Sequence, residues 1–297
     1  MKKRIYFNEV VTRDGFQIEP TFIPTPEKVA LINALSGCGY AKIEVTSFTS
    51  PKAIPMLRDA EVVMGEIERH PGVVYTVLVP NLRGAERALE ANADELNLVM
   101  STSETHNRAN LRMTQEDSFA ALSDVIRFVD GKRPITVSLS TCFGCPMVGD
   151  VPAASVVAWA KRFADLGVNG LTICDTTGMA HPDQVKQLIE ALQLALSETP
   201  LTLHFHNTRG AQMSKVDEIL GCALNERIEA HERLGRDFLG NFGINIWNCN
   251  AKKKASKKIV KKICFHMIDD KKRGRKSPKT STNESLSASD HGCNRNP

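Results

Sequence analysis

The chain has 297 residues, 42% hydrophobic and 24% charged, which is near the globular norm and enough for one large α/β domain of roughly 250 residues with extras. No stretch approaches the roughly 20 apolar residues that span a bilayer, and Tyr6-Phe7-Asn8-Glu9 follows the basic Met1-Lys2-Lys3-Arg4 at once, so neither a membrane span nor a signal peptide is expected and a cytoplasmic location is. Residues 251–297 hold 14 Lys/Arg against 4 Asp/Glu and carry +10 while 1–250 carry −6, so the net +4 belongs to the tail; eight scattered cysteines in so long a chain speak for reduced thiols rather than a disulfide framework.

From the start to about residue 207 one rhythm repeats: a short β-branched run, polar residues, then a helical stretch. The strands expected in order are Ile5–Val11, Ala41–Thr46, Val73–Val79, Glu95–Met100, Ile135–Ser140, Gly170–Cys174 and Leu201–His206. Thr25-Pro26-Glu27 opens the first helix, with Thr25 as its cap and Pro26 in the first turn. Lys28–Ser36 continues it, and Gly37 and Gly39 close it. Thr114–Val129 and Ala153–Leu166 show apolar residues at helical spacing.

Strands alternating with helices predict a parallel sheet. Seven such units fit a (β/α)8 TIM barrel in which the eighth βα unit is missing or degraded. A doubly wound open sheet is disfavoured, because no phosphate-binding glycine loop follows strand one. The expected organisation is a barrel domain over 1–210, an atypical helical or irregular end over 211–250, and a basic, disordered tail over 251–297. Ala211–Arg236 can be helical and Phe242–Trp247 is a weak strand candidate. The open edge this leaves has three expected outcomes: an unstable chain, a homodimer formed through that edge, or Phe242–Trp247 borrowed as a poor eighth strand. The lysines of 252–276 have almost no interleaved aromatics and no binding motif, so a solvated tail is preferred over a nucleic-acid arm.

Polar groups gather where the strands end, the catalytic face of a parallel barrel. Strand one ends Thr12-Arg13-Asp14-Gly15-Phe16-Gln17, strand two carries Glu44, strand six ends Cys174-Asp175-Thr176-Thr177-Gly178, and strand seven ends His204-Phe205-His206. Residues i and i+2 of a strand share a face, so His204 and His206 form a two-imidazole platform. A carboxylate such as Asp14 completes a mixed N,O set suited to a borderline or hard divalent ion. Alone, His-X-His is more often a hydrogen-bonded pair, and Arg-Asp-Gly more often a salt-bridged turn; together they favour a metal site. Arg13 adds a permanent cation with a donor fork. Asp175 and Thr176 are either supports of a ligand or a strand cap. Cys142-Phe143-Gly144-Cys145 lacks the second pair that zinc wants and is read as a loop at the barrel mouth. His70, His106, His181 and His231 are expected to be solvated.

Read together, these segments resemble the HMG-CoA lyase family, within the wider group of metal-dependent barrels that includes the isopropylmalate, homocitrate and citramalate synthases. The resemblance runs through Asn8–Gln17, Ile43–Pro55, Val79–Gly84, Cys142-Phe143-Gly144-Cys145-Pro146, Asp175–Gly178 and His204–Thr208, from residue 5 to about 210. The Ser47-Phe48…Pro51-Lys52…Pro55 segment and the Cys142…Cys145-Pro146 loop are lyase-like, which favours cleavage over the condensing-synthase alternative. The resemblance implies a divalent metal, Mg²⁺ or Mn²⁺, on Asp14, His204 and His206. It implies catalytic roles for Arg13, which stabilises an enolate, for Glu44, which supports Arg13, and for His204. Gln17, Asp175 and Thr176 would stand close behind. The implied reaction splits HMG-CoA, or a related 3-hydroxy-3-alkylglutaryl-CoA, into acetyl-CoA and a keto acid. The resemblance stops after Gly210: the family's eighth-strand Asn and the cysteine of its GLGGCP loop have no counterpart. This implies an alternative, a catalytically impaired member with an altered end.

Overall fold

The structure, a computed structural model, describes residues 6–196 and 198–206. Seven strands form one parallel sheet in chain order: β1 (Asn8–Glu9), β2 (Lys42–Ser47), β3 (Val74–Val79), β4 (Glu95–Ser101), β5 (Ile135–Ser140), β6 (Gly170–Asp175) and β7 (Leu201–Phe205). Between them run α1 (Thr25–Ser36), α2 (Ala60–Glu66), α3 (Leu82–Glu90), α4 (Glu104–Leu111), α5 (Gln115–Val129), α6 (Ala153–Asp165) and α7 (Pro182–Ala195). Each strand pairs with its neighbour in sequence, the winding of a TIM barrel. The expected eighth-unit segments, the tail, His231 and the cysteines beyond Cys174 lie outside the described residues.

The core follows from strand periodicity. Ile43 and Val45, Leu96 and Leu98, Val137 and Leu139 are buried in one apolar cluster with Ile32, Val125, Phe163 and Leu188 from the helices. The residues between them on the strands are polar and bond to one another across the sheet. Lys42 reaches Glu95 (2.5 and 2.6 Å), and Thr136 donates to the same carboxylate (3.2 Å). One step further along the strands, Asn97 bridges Glu44 (2.8 Å) and Ser138 (2.9 Å). Apolar side chains thus take one face and a bonded polar layer the other, as alternation requires.

Two local expectations change. Strand one is only Asn8–Glu9, and Val11–Gly15 form a π-helical turn. The Glu9 carboxylate accepts from the backbone N–H of Val10 and Val11 (both 2.8 Å), which draws the chain out of the ladder. The Asp14 N–H then closes on the Val10 carbonyl at 2.7 Å. Gly15 fits this turn because a Cβ there would stand 2.9 Å from Val11 Cγ2. Thr25 is the first residue of α1, not its cap: the cap position is Pro24, and Thr25 Oγ1 donates to Asp59 instead (2.7 Å). Thr114, by contrast, caps α5 by accepting from the Asp117 N–H.

Candidate metal centre

The π turn after β1 and the end of β7 meet. Asp14 Oδ2 lies 3.7 Å from His204 Nε2 and 3.6 Å from His206 Nε2, and the two imidazole nitrogens are 3.0 Å apart. Among the described residues this is the one group of three such side chains whose ligand atoms lie within 4.8 Å of one another. The circle through three atoms so spaced has a radius of about 2.0 Å, and divalent ions hold N and O ligands at about 2.0–2.2 Å. The three atoms therefore fit one face of an ion, and the set of one carboxylate and two imidazoles suits a divalent metal. Burial lowers the His204 pKa, against the pull of Asp14, which favours the neutral imidazole that a ligand must be.

The expected cation sits beside this face. Arg13 Nη1 donates to Asp14 Oδ1 at 2.7 Å, while its Nε and Nη2 both reach Glu44 Oε2 at 2.7 Å. Burial alone would lower the Arg13 pKa, but Glu44 and Asp14 outweigh it and raise it, so the charge is permanent. Glu44 is buried (3% exposed) and braced at its backbone by Thr12, whose hydroxyl donates to the Glu44 carbonyl at 2.8 Å. The arrangement is a fixed positive fork sharing a carboxylate with the candidate metal face, a geometry suited to holding an anion beside it.

The other expected residues take different places. Gln17 is half-buried on the helical turn that follows the π segment. Asp175 is buried and registers with Phe205 on β7, between the two histidines, and its Oδ1 accepts from the Ala180 N–H at 3.1 Å. Thr176 Oγ1 accepts from the Thr141 N–H at 2.8 Å, bracing the turn after β5. Cys142 and Cys145 are free, buried thiols in a mouth loop that Phe143 packs toward Phe205, ring centres 6.2 Å apart. Burial pushes the Cys142 thiol up to about 12. His70 and His181 are exposed, and His181 caps α7. His106 departs from expectation: it is half-buried, its Nδ1 has no hydrogen-bond partner among the described residues, and burial lowers its pKa. Asn97 and Ser138, behind Glu44, carry no motif that sequence reasoning recognises. The available signal is the alternation of polar with apolar residues along β4 and β5, because a buried polar side chain on a central strand demands a partner.

Comparison with known proteins matches residues 4–215 to the HMGL-like family model. The chain is 42% identical over 215 residues to a hydroxymethylglutaryl-CoA lyase of Bacillus subtilis, covering 72% of each chain. Against the mitochondrial enzyme of Mus musculus the identity is 34%, over 72% of this chain and 66%, just under two thirds, of that one. The crystal structure of the Bacillus subtilis HMG-CoA lyase superposes with a TM-score of 0.72 over 74% of each chain. An HMG-CoA lyase from Acinetobacter baumannii, solved in complex with coenzyme A and 3-methylmalate, superposes with a TM-score of 0.69 at 48% identity, over 71% of this chain and 69% of that one.

Proposed function

Since the chain belongs to the HMGL-like family, we propose that it is a metal-dependent carbon–carbon lyase that cleaves HMG-CoA, or a related 3-hydroxy-3-alkylglutaryl-CoA, to acetyl-CoA and a keto acid. The observation that carries this reading is the triangle of Asp14 Oδ2, His204 Nε2 and His206 Nε2 with Arg13 bonded to the same aspartate. Asp14, His204 and His206 would hold the ion, Mg²⁺ or Mn²⁺. Bound there, such an ion supplies Lewis acidity that makes a hydroxyl proton easier to remove.

The bond changes then set what the protein must do. The 3-hydroxyl loses its proton, the carbon–oxygen bond becomes a carbonyl, and the neighbouring carbon–carbon bond breaks. Its electron pair passes to the thioester fragment as an enolate, which a proton converts to acetyl-CoA. Arg13 stays charged throughout and offers its fork to the negative charge that develops on the thioester oxygen. Glu44 holds that fork on two of its nitrogens and so fixes the direction of the third. Burial lowers the His204 pKa, which favours the neutral imidazole that a metal ligand must be.

Purified full-length protein incubated with Mn²⁺ and HMG-CoA should release acetyl-CoA, and Asp14→Ala should lose at least about 10³-fold in rate. Release of acetyl-CoA no faster than by the Asp14→Ala protein would overturn the proposal.

A further inference from the structure

We infer that Asn97, fixed in turn by Ser138, is a positioning residue that aims Arg13 and Asp14. The inference rests on the metal-dependent reading above but concerns residues outside the ligand set. The Glu44 carboxylate has two oxygens. Oε2 takes both contacts from Arg13, and Oε1 takes the Asn97 Nδ2 donor at 2.8 Å. Thr12 bonds only the Glu44 backbone carbonyl, so the carboxylate is held by Arg13 on one oxygen and by Asn97 on the other. A buried carboxylate oxygen stripped of its donor costs more than the bond itself contributed, so Glu44 would turn to find another partner and release Arg13.

An amide can present either end, and the Glu44 carboxylate, which only accepts, decides that the Nδ2 end faces it. Ser138 Oγ donates to the far end, Asn97 Oδ1, at 2.9 Å and so anchors the amide in that orientation. The order is therefore Ser138, Asn97, Glu44, Arg13, Asp14, crossing from β5 through β4 and β2 to the π turn. At its end, Arg13 occupies Asp14 Oδ1 and leaves Oδ2 toward the histidines. Asn97 acts on the centre only through Glu44 and Arg13.

The test uses the full chain with Asn97→Leu, Asn97→Asp and Ser138→Ala. Asn97→Asp keeps the shape but sets an oxygen opposite Glu44 Oε1 in place of a donor. Mn²⁺ affinity, followed as free Mn²⁺ by electron paramagnetic resonance, should fall about tenfold in both Asn97 variants, the scale set by partners behind metal ligands. kcat should fall about tenfold or more with KM within about threefold, because orientation rather than binding is lost. Ser138→Ala should act in the same direction more weakly and add nothing to Asn97→Leu, since the two positions act in one chain. Wild-type Mn²⁺ affinity in both Asn97 variants overturns the inference, whether or not their urea midpoints fall, and so does full additivity with Ser138→Ala. A wild-type protein that binds Mn²⁺ but releases no acetyl-CoA removes the proposed activity and leaves the Mn²⁺ measurement to decide the inference. A wild-type protein that does not bind Mn²⁺ removes both.

Discussion

On the proposed function Arg13 does two things at once, and its chemistry explains why a lysine would not replace it. Its guanidinium reaches Glu44 with Nε and Nη2 and Asp14 with Nη1, three contacts at 2.7 Å in a rigid fork. A lysine ammonium is a point charge on a flexible stem and cannot span both carboxylates. Arg13→Lys should therefore keep the fold and lose about 10²–10³-fold in kcat, the scale of a lost oxyanion donor; retained turnover in steady-state kinetics would refute this role. A second residue-scale prediction concerns His106, whose buried Nδ1 has no partner among the described residues. Burial places its folded pKa below the ordinary value of 6.5, so on acidification the unfolded chain takes up the proton first. Its contribution to stability is whole above pH 6.5 and is lost as pH falls below that value. The melting temperature of His106→Gln should drop less between pH 7 and pH 5.5 than that of the wild type, and parallel drops would rule His106 out as a source of acid sensitivity.

Every strand after the first is legible in the sequence to within a residue. β5 runs over the expected Ile135–Ser140, and β3 and β4 agree within a residue, because a central parallel strand has apolar residues on one face and a fixed neighbour on each side. The first strand is legible only in place. Its sequence is apolar enough to continue, but the Glu9 side chain competes for the backbone and folds Val11–Gly15 into the π turn; such local side-chain competition has no periodic signature. That turn carries Asp14, so its cap matters to the centre. Glu9→Ala strips acceptors from two N–H groups and should cost about 1–2 kcal/mol in urea unfolding, together with a measurable loss of Mn²⁺ affinity, whereas Glu9→Gln keeps one acceptor oxygen and should lose less. Equal Mn²⁺ affinity in all three proteins would separate the turn from the centre. The motifs Arg13-Asp14-Gly15 and His204-Phe205-His206 were legible because rare side-chain types mark them. Asn97 and Ser138 were not: they are ordinary polar residues, and β4–β5 pairing sets Asn97 beside Thr136 and Ser138 beside Val99. Only the stagger of neighbouring strands brings the two side chains together, a property of the assembled sheet.

At the scale of the whole molecule, the site joins what the ladders leave separate. The sheet runs from β1 to β7 with each strand bonded to its sequence neighbours, so among the described residues no ladder joins β1 to β7. Asp14 comes from the turn after β1 and His204 and His206 from β7 or its edge, at the two ends of that order and far apart in sequence. An ion on these three side chains would bind the folded arrangement and not the unfolded chain, where the ligands are scattered. It should therefore act as a clasp on the whole domain. At a concentration one hundred times its Kd, an ion of this kind contributes about 2.7 kcal/mol, which for a domain of this size raises the melting temperature by about 5–10 °C. Thermal melts of the full chain in EDTA and in saturating Mn²⁺ should differ by that amount. Asp14→Ala and His206→Ala should melt alike in the two conditions, because each removes one corner of the triangle. If the wild-type protein melts at one temperature in both, no clasp exists. If Asp14→Ala keeps the full shift, Mn²⁺ binds elsewhere and the two ends of the sheet are held by packing alone.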